Sequence, residues 1–124
     1  MERRLISSGS PYEPVIGFSR AVRVGEHVHV SGTAPVGFDS DDPYAQTKRC
    51  LEIILTALAE AGAGPEDVVR TRIFATSAGD YEEIARAHGE VFGEIRPAST
   101  FIVVSALLDP SWVVEIEADA TLTE

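Results

Sequence analysis

The last apolar-rich segment, Val113 to Thr121, carries carboxylates at every second position: Glu115, Glu117 and Asp119. In a strand that spacing puts all three on one face, where a carboxylate can hold a water or take a proton from a substrate. Their more ordinary use is charge compensation across strands, with Arg70 and Arg72 as partners in another strand-like segment. Two of the three are assigned that ordinary use. Glu115, nearest the beginning of its strand and hence nearest a sheet edge or cleft, is the candidate general base.

Other reactive side chains carry weaker signals. His27 and His29 share one strand face, a spacing that can ligate metal. A site needs three or four ligands with supporting hydrogen bonds, however, and no cysteine or third histidine lies nearby. No metal and no cofactor is expected. His88 lies beside apolar positions of a helical pattern. A half-buried structural histidine is the usual finding there, but its intrinsic pKa makes it a secondary candidate if that helix borders a cleft. Lys48 is the sole lysine, so a Schiff base would have to use it, on the polar side of a helix. Cys50 falls mid-helix among packing residues, where a thiol is usually inert. No G-x-S-x-G elbow is present, and SGTAPVG matches neither the Walker nor the dinucleotide glycine pattern. These residues supply a candidate base and no reaction.

Apolar periodicity and turn residues define the elements that must position them. Arg3 to Ser7 suits a short edge strand, and Gly9, Pro11 and Pro14 break the stretch after it. Ala21–Val24 and His27–Ser31, joined at Gly25-Glu26, form a hairpin, and residues 32–42 are a polar loop. Asp42 is a good N-cap for a helix with Pro43 in its first position. Tyr44, Leu51, Ile54, Leu58 and Ala61 make the apolar side of that helix, with Gln46, Lys48 and Glu60 largely opposite. Val68 to Thr76 is a strand with Val69, Thr71, Ile73 and Ala75 on one face. A second helix starts at Asp80 with a capping-box-like Glu83 and ends near Gly93 and Pro97. Strands Ala98–Ser105 and Val113–Thr121 finish the chain. The expected fold is α+β: a two-layer arrangement of one mixed sheet with two helices on one face.

That arrangement leaves the other sheet face bare. Its expected occupants are Arg70, Arg72 and Phe74, then Ser99, Phe101 and Val103, then Val113, Glu115, Glu117 and Asp119. Such a mixture makes a poor core and an odd wet surface. It fits a subunit interface with a cleft at its rim, although a one-residue slip would exchange the faces of any strand.

Composition sets the outer limits. The 124 residues, of which 44% are apolar and 24% charged, suit one domain over 1–124. Twenty acidic against ten basic residues give −10 and a pI near 4.6, which argues against nucleic acid as a partner. The single cysteine fits a reducing compartment. No apolar run approaches the ~18 residues of a membrane span, and MERRLISSGS has no apolar stretch behind its arginines. A cytoplasmic protein with no membrane partner is the expectation.

Five segments together resemble the Rid (YjgF) family: GFSR at 17–20, HVSGTAP at 29–35, QTKRCLEIILTALAEAGAGPEDVVRTRIFAT at 46–76, the Asp80-Tyr81 helix start, and RPAST with VEIEADA at 96–100 and 114–120. The resemblance implies a fold similar to trimeric chorismate mutase, a homotrimer with sheets packed bare face inward, and ligand clefts between subunits. Deaminase members hydrolyse reactive enamines and imines such as 2-aminoacrylate to a 2-keto acid and ammonia, so a hydrolase acting on C=N bonds is implied. In that family an arginine after the Pro-Ala clamps the substrate carboxylate, an arrangement suited to guanidinium geometry. Here Pro97-Ala98 is followed by Ser99. The family's tyrosine matches Phe18, its cysteine Phe101 and its asparagine Ala85, whereas the glutamate persists as Glu115 and the S-G glycine as Gly32. The implied cleft residues are thus Glu115 as catalyst, with Phe18, Gly32, His88, Arg96, Ser99, Thr100 and Phe101 binding a small molecule other than the usual 2-imino acid. A trimer that binds a ligand without turning it over is the alternative, with endoribonuclease activity behind it.

Overall fold

A computed structural model describes residues 2–123 of the chain. Strands β1 (Arg3–Ile6), β2 (Ala21–Val24), β3 (His27–Thr33), β4 (Val68–Ala75), β5 (Ala98–Val103) and β6 (Val114–Thr121) form one sheet in the order β1-β2-β3-β6-β4-β5. Only the β4–β5 pairing is parallel. Helices α1 (Tyr12–Ile16), α2 (Pro43–Glu60) and α3 (Tyr81–Phe92) complete the chain. This is the expected α+β fold with one mixed sheet.

The core lies between the sheet and the two long helices. Leu51, Ile54 and Leu58 of α2 and Ile84 and Phe92 of α3 pack on Val28, Val30, Ile73, Val114, Ile116 and Ala118. On β6 the alternation is complete, with Val114, Ile116, Ala118 and Ala120 buried and Glu115, Glu117, Asp119 and Thr121 facing away. Both long helices cover one face, and neither lies on the other face.

Helix α2 begins as the sequence implies: the Asp42 carboxylate accepts from the Ala45 N–H, and Pro43 needs no donor partner there. Gln46 differs from its expected place on the polar side. It is buried at 1% exposure because its amide is a hub. Nε2 donates to the Ser40 and Ser111 carbonyls, and Oε1 accepts from the Val113 N–H, each at 2.8 Å. One side chain thereby ties both loops to α2, including the loop that leads into Glu115. Helix α3 also starts differently. A 3₁₀ turn over Ala78–Asp80, capped by the Ser77 hydroxyl, precedes it, and Asp80 makes no side-chain cap. Glu83 pairs with Arg86 instead of reaching back.

Three further expectations are corrected. The segment after β1 is not wholly irregular: Tyr12–Ile16 forms a short helix closed by Gly17 at φ 92°. Pro14 is tolerated because its missing N–H falls in the first turn, where no intrahelical acceptor exists. On β4 an irregularity between Val68 and Arg70 buries Val68 and exposes Val69, reversing the assignment of Val69 to the core face. On β5 the faces are exchanged. Ser99 lies beside buried Thr71, and Phe101 beside buried Ile73. Ser99, Phe101 and Val103 therefore share the helix-covered side, while Ala98, Thr100 and Ile102 join the bare face. As an edge strand, β5 has no burial alternation that could have fixed its phase.

Candidate functional site

The residues nominated from the sequence fall into two groups. The first surrounds Glu115. Gly32, in the irregular stretch of β3 between Val30 and Thr33, faces the Glu115 carboxylate so closely that a Cβ there would collide with it. Arg20, only 9% exposed, donates through a terminal guanidinium nitrogen to the Gly32 carbonyl at 2.6 Å. Its guanidinium also lies 5.6 Å from the centroid of the Phe18 ring. Phe18, Gly32 and Glu115 are thus joined through Arg20, a residue that sequence reasoning did not nominate.

Arg20 is held by charge from two directions. Burial pushes its pKa down, and Glu13 and Glu115 oppose that push. Glu13, at the start of the short helix α1 and 7% exposed, accepts from the Ser7 hydroxyl at 2.8 Å and from the Ser8 N–H and hydroxyl at 3.0 and 2.5 Å. The Ser8 hydroxyl bond is the main cause of a lowered Glu13 pKa, so this carboxylate stays ionised. Glu115 behaves oppositely. Burial raises its pKa, Arg20 pulls it back, and Glu117 adds a small upward push. A carboxylate lifted toward neutrality is better placed to exchange protons than an ordinary surface one.

The second group lies at the β5 edge on the helix side. Thr71, fully buried, joins His88 Nε2 at 2.9 Å and the Ser99 hydroxyl at 2.8 Å. The imidazole packs against the Phe92 ring at 4.7 Å, and burial lowers the His88 pKa. Phe101 sits edge-on to Tyr81 at 5.0 Å. Sequence reasoning missed Thr71 as a polar connector because Thr in a strand normally signals only β propensity. Thr100 is not with this group; it lies beside Arg72 on the bare face. Arg96 lies in the turn before β5 with φ 57°, exposed and without an ion pair among the described residues.

One chain cannot bring the two groups together. Glu115 lies opposite Phe74 of β4, and Ser99 lies beside Thr71 of the same strand. Three residues along a strand is about 10 Å, and the two side chains leave opposite faces. Of two concavities of the single chain, neither includes Glu115, Phe18 or the second group, and one meets the first group at Arg20. One, of about 280 Å³, runs between α2 and the segment after β1, lined by Ser7, Ser8, Arg20, Arg49, Thr56 and Glu60 among others. Another, of about 350 Å³, is a loop surface at Phe38–Asp41 and Ser111.

The bare face carries the charge pairs expected of it in part. Arg72 reaches Glu117 at 3.1 Å and Asp119 at 3.2 Å, whereas Arg70 makes no ion pair among the described residues. Asp119 also meets His29 Nδ1 at 2.7 Å. No group of three or more potential metal ligands exists among the described residues, and no described helix is long and apolar enough to cross a membrane.

Comparison with known proteins settles kinship. The family described as Endoribonuclease L-PSP matches residues 9–122. The chain belongs to the YjgF/Rid family. Among its relatives, an uncharacterised protein of Streptomyces coelicolor is 40% identical, covering 94% of this chain and 90% of that protein. The 3-aminoacrylate deaminase RutC of Acinetobacter baylyi is 32% identical over 94% of each chain. A Mycobacterium tuberculosis protein of the YjgF/YER057c/UK114 family has a crystal structure that superimposes with TM-score 0.92 at 45% identity, covering 98% of this chain and all of that one.

Proposed function

We propose that this YjgF/Rid protein associates as a homotrimer through its helix-free sheet face and binds a small imine- or enamine-type molecule in clefts between copies. Each cleft takes the Glu115–Arg20–Phe18 group from one copy and the Ser99–Thr71–His88 group from another. The observation that carries this reading is the separation of the two groups onto opposite faces of one sheet: each is half a site, and a second copy is the simplest source of the other half. A deaminase of 3-aminoacrylate among the relatives supports an enamine-type ligand.

The chemistry follows from the groups present. With the substrate as a protonated imine, Glu115 takes a proton from water while the water oxygen bonds to the carbon of the C=N unit. Glu115 then returns that proton to nitrogen as the C–N bond breaks, and the adduct's hydroxyl proton also ends on the departing nitrogen, so that ammonium and a carbonyl compound are released. Ser99 offers a hydroxyl where a carboxylate-clamping arginine would stand, which forfeits roughly 2–5 kcal/mol if the lost partner charge is desolvated. A 2-imino acid then binds tens- to thousands-fold more weakly, so the preferred ligand is less ionic.

The test supplies a 2-imino acid made in situ from L-leucine by an L-amino-acid oxidase and follows keto-acid release, comparing the parent with Ser99→Arg. A lower KM for Ser99→Arg than for the parent is expected, because the guanidinium restores the carboxylate clamp. An equal KM would overturn the assignment of Ser99, and a stable single subunit on sedimentation at low concentration would overturn the shared cleft. The loss of the arginine favours one second reading, a trimer that binds without turnover, for which ligand-dependent melting with no product is the signature. The −10 charge weighs against ribonuclease action, and RNA cleavage by pure protein in high salt would reverse that.

A further inference from the structure

We propose that Thr71 and Ser99 form a two-hydroxyl proton relay between the His88 imidazole and a molecule bound at the β5 edge, with His88 as the proton-holding end. The proposal rests on the cleft reading for its ligand but not for its geometry. Three polar side chains from three elements, α3, β4 and β5, stand in line at 2.9 and 2.8 Å. The middle one is sealed at 0% exposure, and Ser99 at the outer end is exposed.

Hydroxyl counting gives the line two polarities. The Thr71 hydroxyl has one proton and two lone pairs. If it donates to Ser99, it accepts from His88 Nε2–H, and the Ser99 proton points outward. If it donates to an unprotonated Nε2, it accepts the Ser99 proton, and Ser99 presents only lone pairs to a ligand. The two states differ by one imidazole tautomer. A proton arriving at Ser99 is passed on as the Ser99 proton moves to Thr71 and the Thr71 proton moves to Nε2. Both hydroxyls end intact and the imidazole becomes imidazolium.

In the proposed hydrolysis this supplies a step that Glu115 cannot perform alone. As the tetrahedral adduct collapses, its C–N bond breaks and its C=O bond forms, and the adduct's O–H proton must leave while Glu115 gives its proton to nitrogen. The relay takes the O–H proton to His88, which then surrenders it to the departing ammonia. The sum is protonated imine plus water giving carbonyl compound plus ammonium, and nothing is oxidised or reduced.

The surroundings keep the inner end neutral and ready to accept. Burial lowers the His88 pKa with no charged neighbour contributing. On α3, Arg86 is engaged by Glu83 and Glu90; on α2, Lys48 also faces Glu90. Arg70 and Arg72 of β4 project from the other sheet face, β5 carries no charge, and Arg96 before it is exposed. Because His88 acts as a base, activity should fall as pH drops through its lowered pKa.

Two arms test the relay. With the imino acid generated from L-leucine, Thr71→Val should lower kcat by about 100-fold, the low end of general acid–base contributions, leave KM nearly unchanged and remove the His88 part of the acidic limb of the pH profile while leaving the part due to Glu115. Thr71→Ser should restore both. A folded Thr71→Val with parental kcat and limb would overturn the proposal. If the parent turns over no imine, the cleft chemistry fails, and the relay is judged by ¹⁵N NMR of the three histidines. Ser99→Ala should shift the His88 tautomer balance through the intervening Thr71, an effect absent if Thr71 merely anchors α3. An unchanged His88 ring spectrum in Ser99→Ala would overturn it.

Discussion

The Glu115 carboxylate occupies the space in which a side chain at Gly32 would begin. Since the obstructing atoms are the far end of a flexible side chain, Gly32→Ala should fold with a stability change within about 1 kcal/mol and displace the carboxylate. In the proposed cleft that displacement should cost at least 10-fold in kcat/KM, given how steeply reaction depends on placement. Urea unfolding paired with imine-hydrolysis kinetics separates the two effects; unchanged kinetics would remove Gly32 from the site.

Glu115 should make the protein less stable as pH rises. Its folded pKa lies above the ordinary value of 4.5, chiefly through burial, so the folded state holds its proton longer than the unfolded state does. Stability is therefore lost between the unfolded and folded pKa values, and the full cost is present above the folded one. Glu115→Gln should raise the urea midpoint at pH 7 relative to the parent and leave it unchanged below about pH 4, where both forms are neutral. Protein concentration must be held fixed because association also shifts stability. A midpoint at pH 7 lowered by the substitution would mean that Arg20 depends on this charge more than burial opposes it.

How far the sequence reaches can be judged from β5 and β6. On β6 the alternation of apolar and acidic residues set both the strand and its faces, because one side is fully buried and a slip would bury carboxylates. On β5 the same reasoning failed. An edge strand exposes Ala98, Ser99, Thr100, Ile102 and Val103 alike, so its phase comes from parallel pairing with β4, which no local pattern encodes. The site shows the same division. Glu115 is legible as one acidic residue among three at alternate positions, whereas Arg20, Glu13 and Thr71 acquire their importance only from neighbours distant in sequence. A buried arginine is not distinguishable in the string from nine arginines of all kinds.

Gln46 is the clearest case of a residue whose type misled. Gln46→Leu keeps a side chain of similar size but leaves the Ser40 and Ser111 carbonyls and the Val113 N–H without their partner. At about 1–3 kcal/mol for a buried group left unmet, and less here because Ser40 and Val113 are half-buried and Ser111 is exposed, a loss of about 2 kcal/mol is expected in urea unfolding, with earlier hydrogen exchange at Val113. A loss below 1 kcal/mol would show that water replaces the amide at little cost.

Arg96 has a left-handed backbone, φ 57°, which costs a non-glycine residue roughly 1–2 kcal/mol. Arg96→Gly should therefore be neutral to stabilising by about 1 kcal/mol. If the guanidinium serves the cleft, the same variant should bind ligand more weakly, read by ligand-dependent melting with the imine-derived keto acid. Stabilisation with unchanged binding would assign Arg96 to the turn alone.

The size of one further effect discriminates between a wet and a buried helix-free face. Arg72 holds Glu117 and Asp119 with its side chain 40% exposed in the single chain. Were that face bathed in water, Arg72→Ala would cost at most about 1 kcal/mol, as exposed pairs do. Enclosed between copies, the substitution strands two neighbouring carboxylates, and breaking a buried pair costs about 3–5 kcal/mol. The proposed trimer therefore requires the larger value, together with a dissociation constant raised by two or more decades in sedimentation equilibrium. A cost under 1 kcal/mol with unchanged association would mean that this face is not the one at which copies meet.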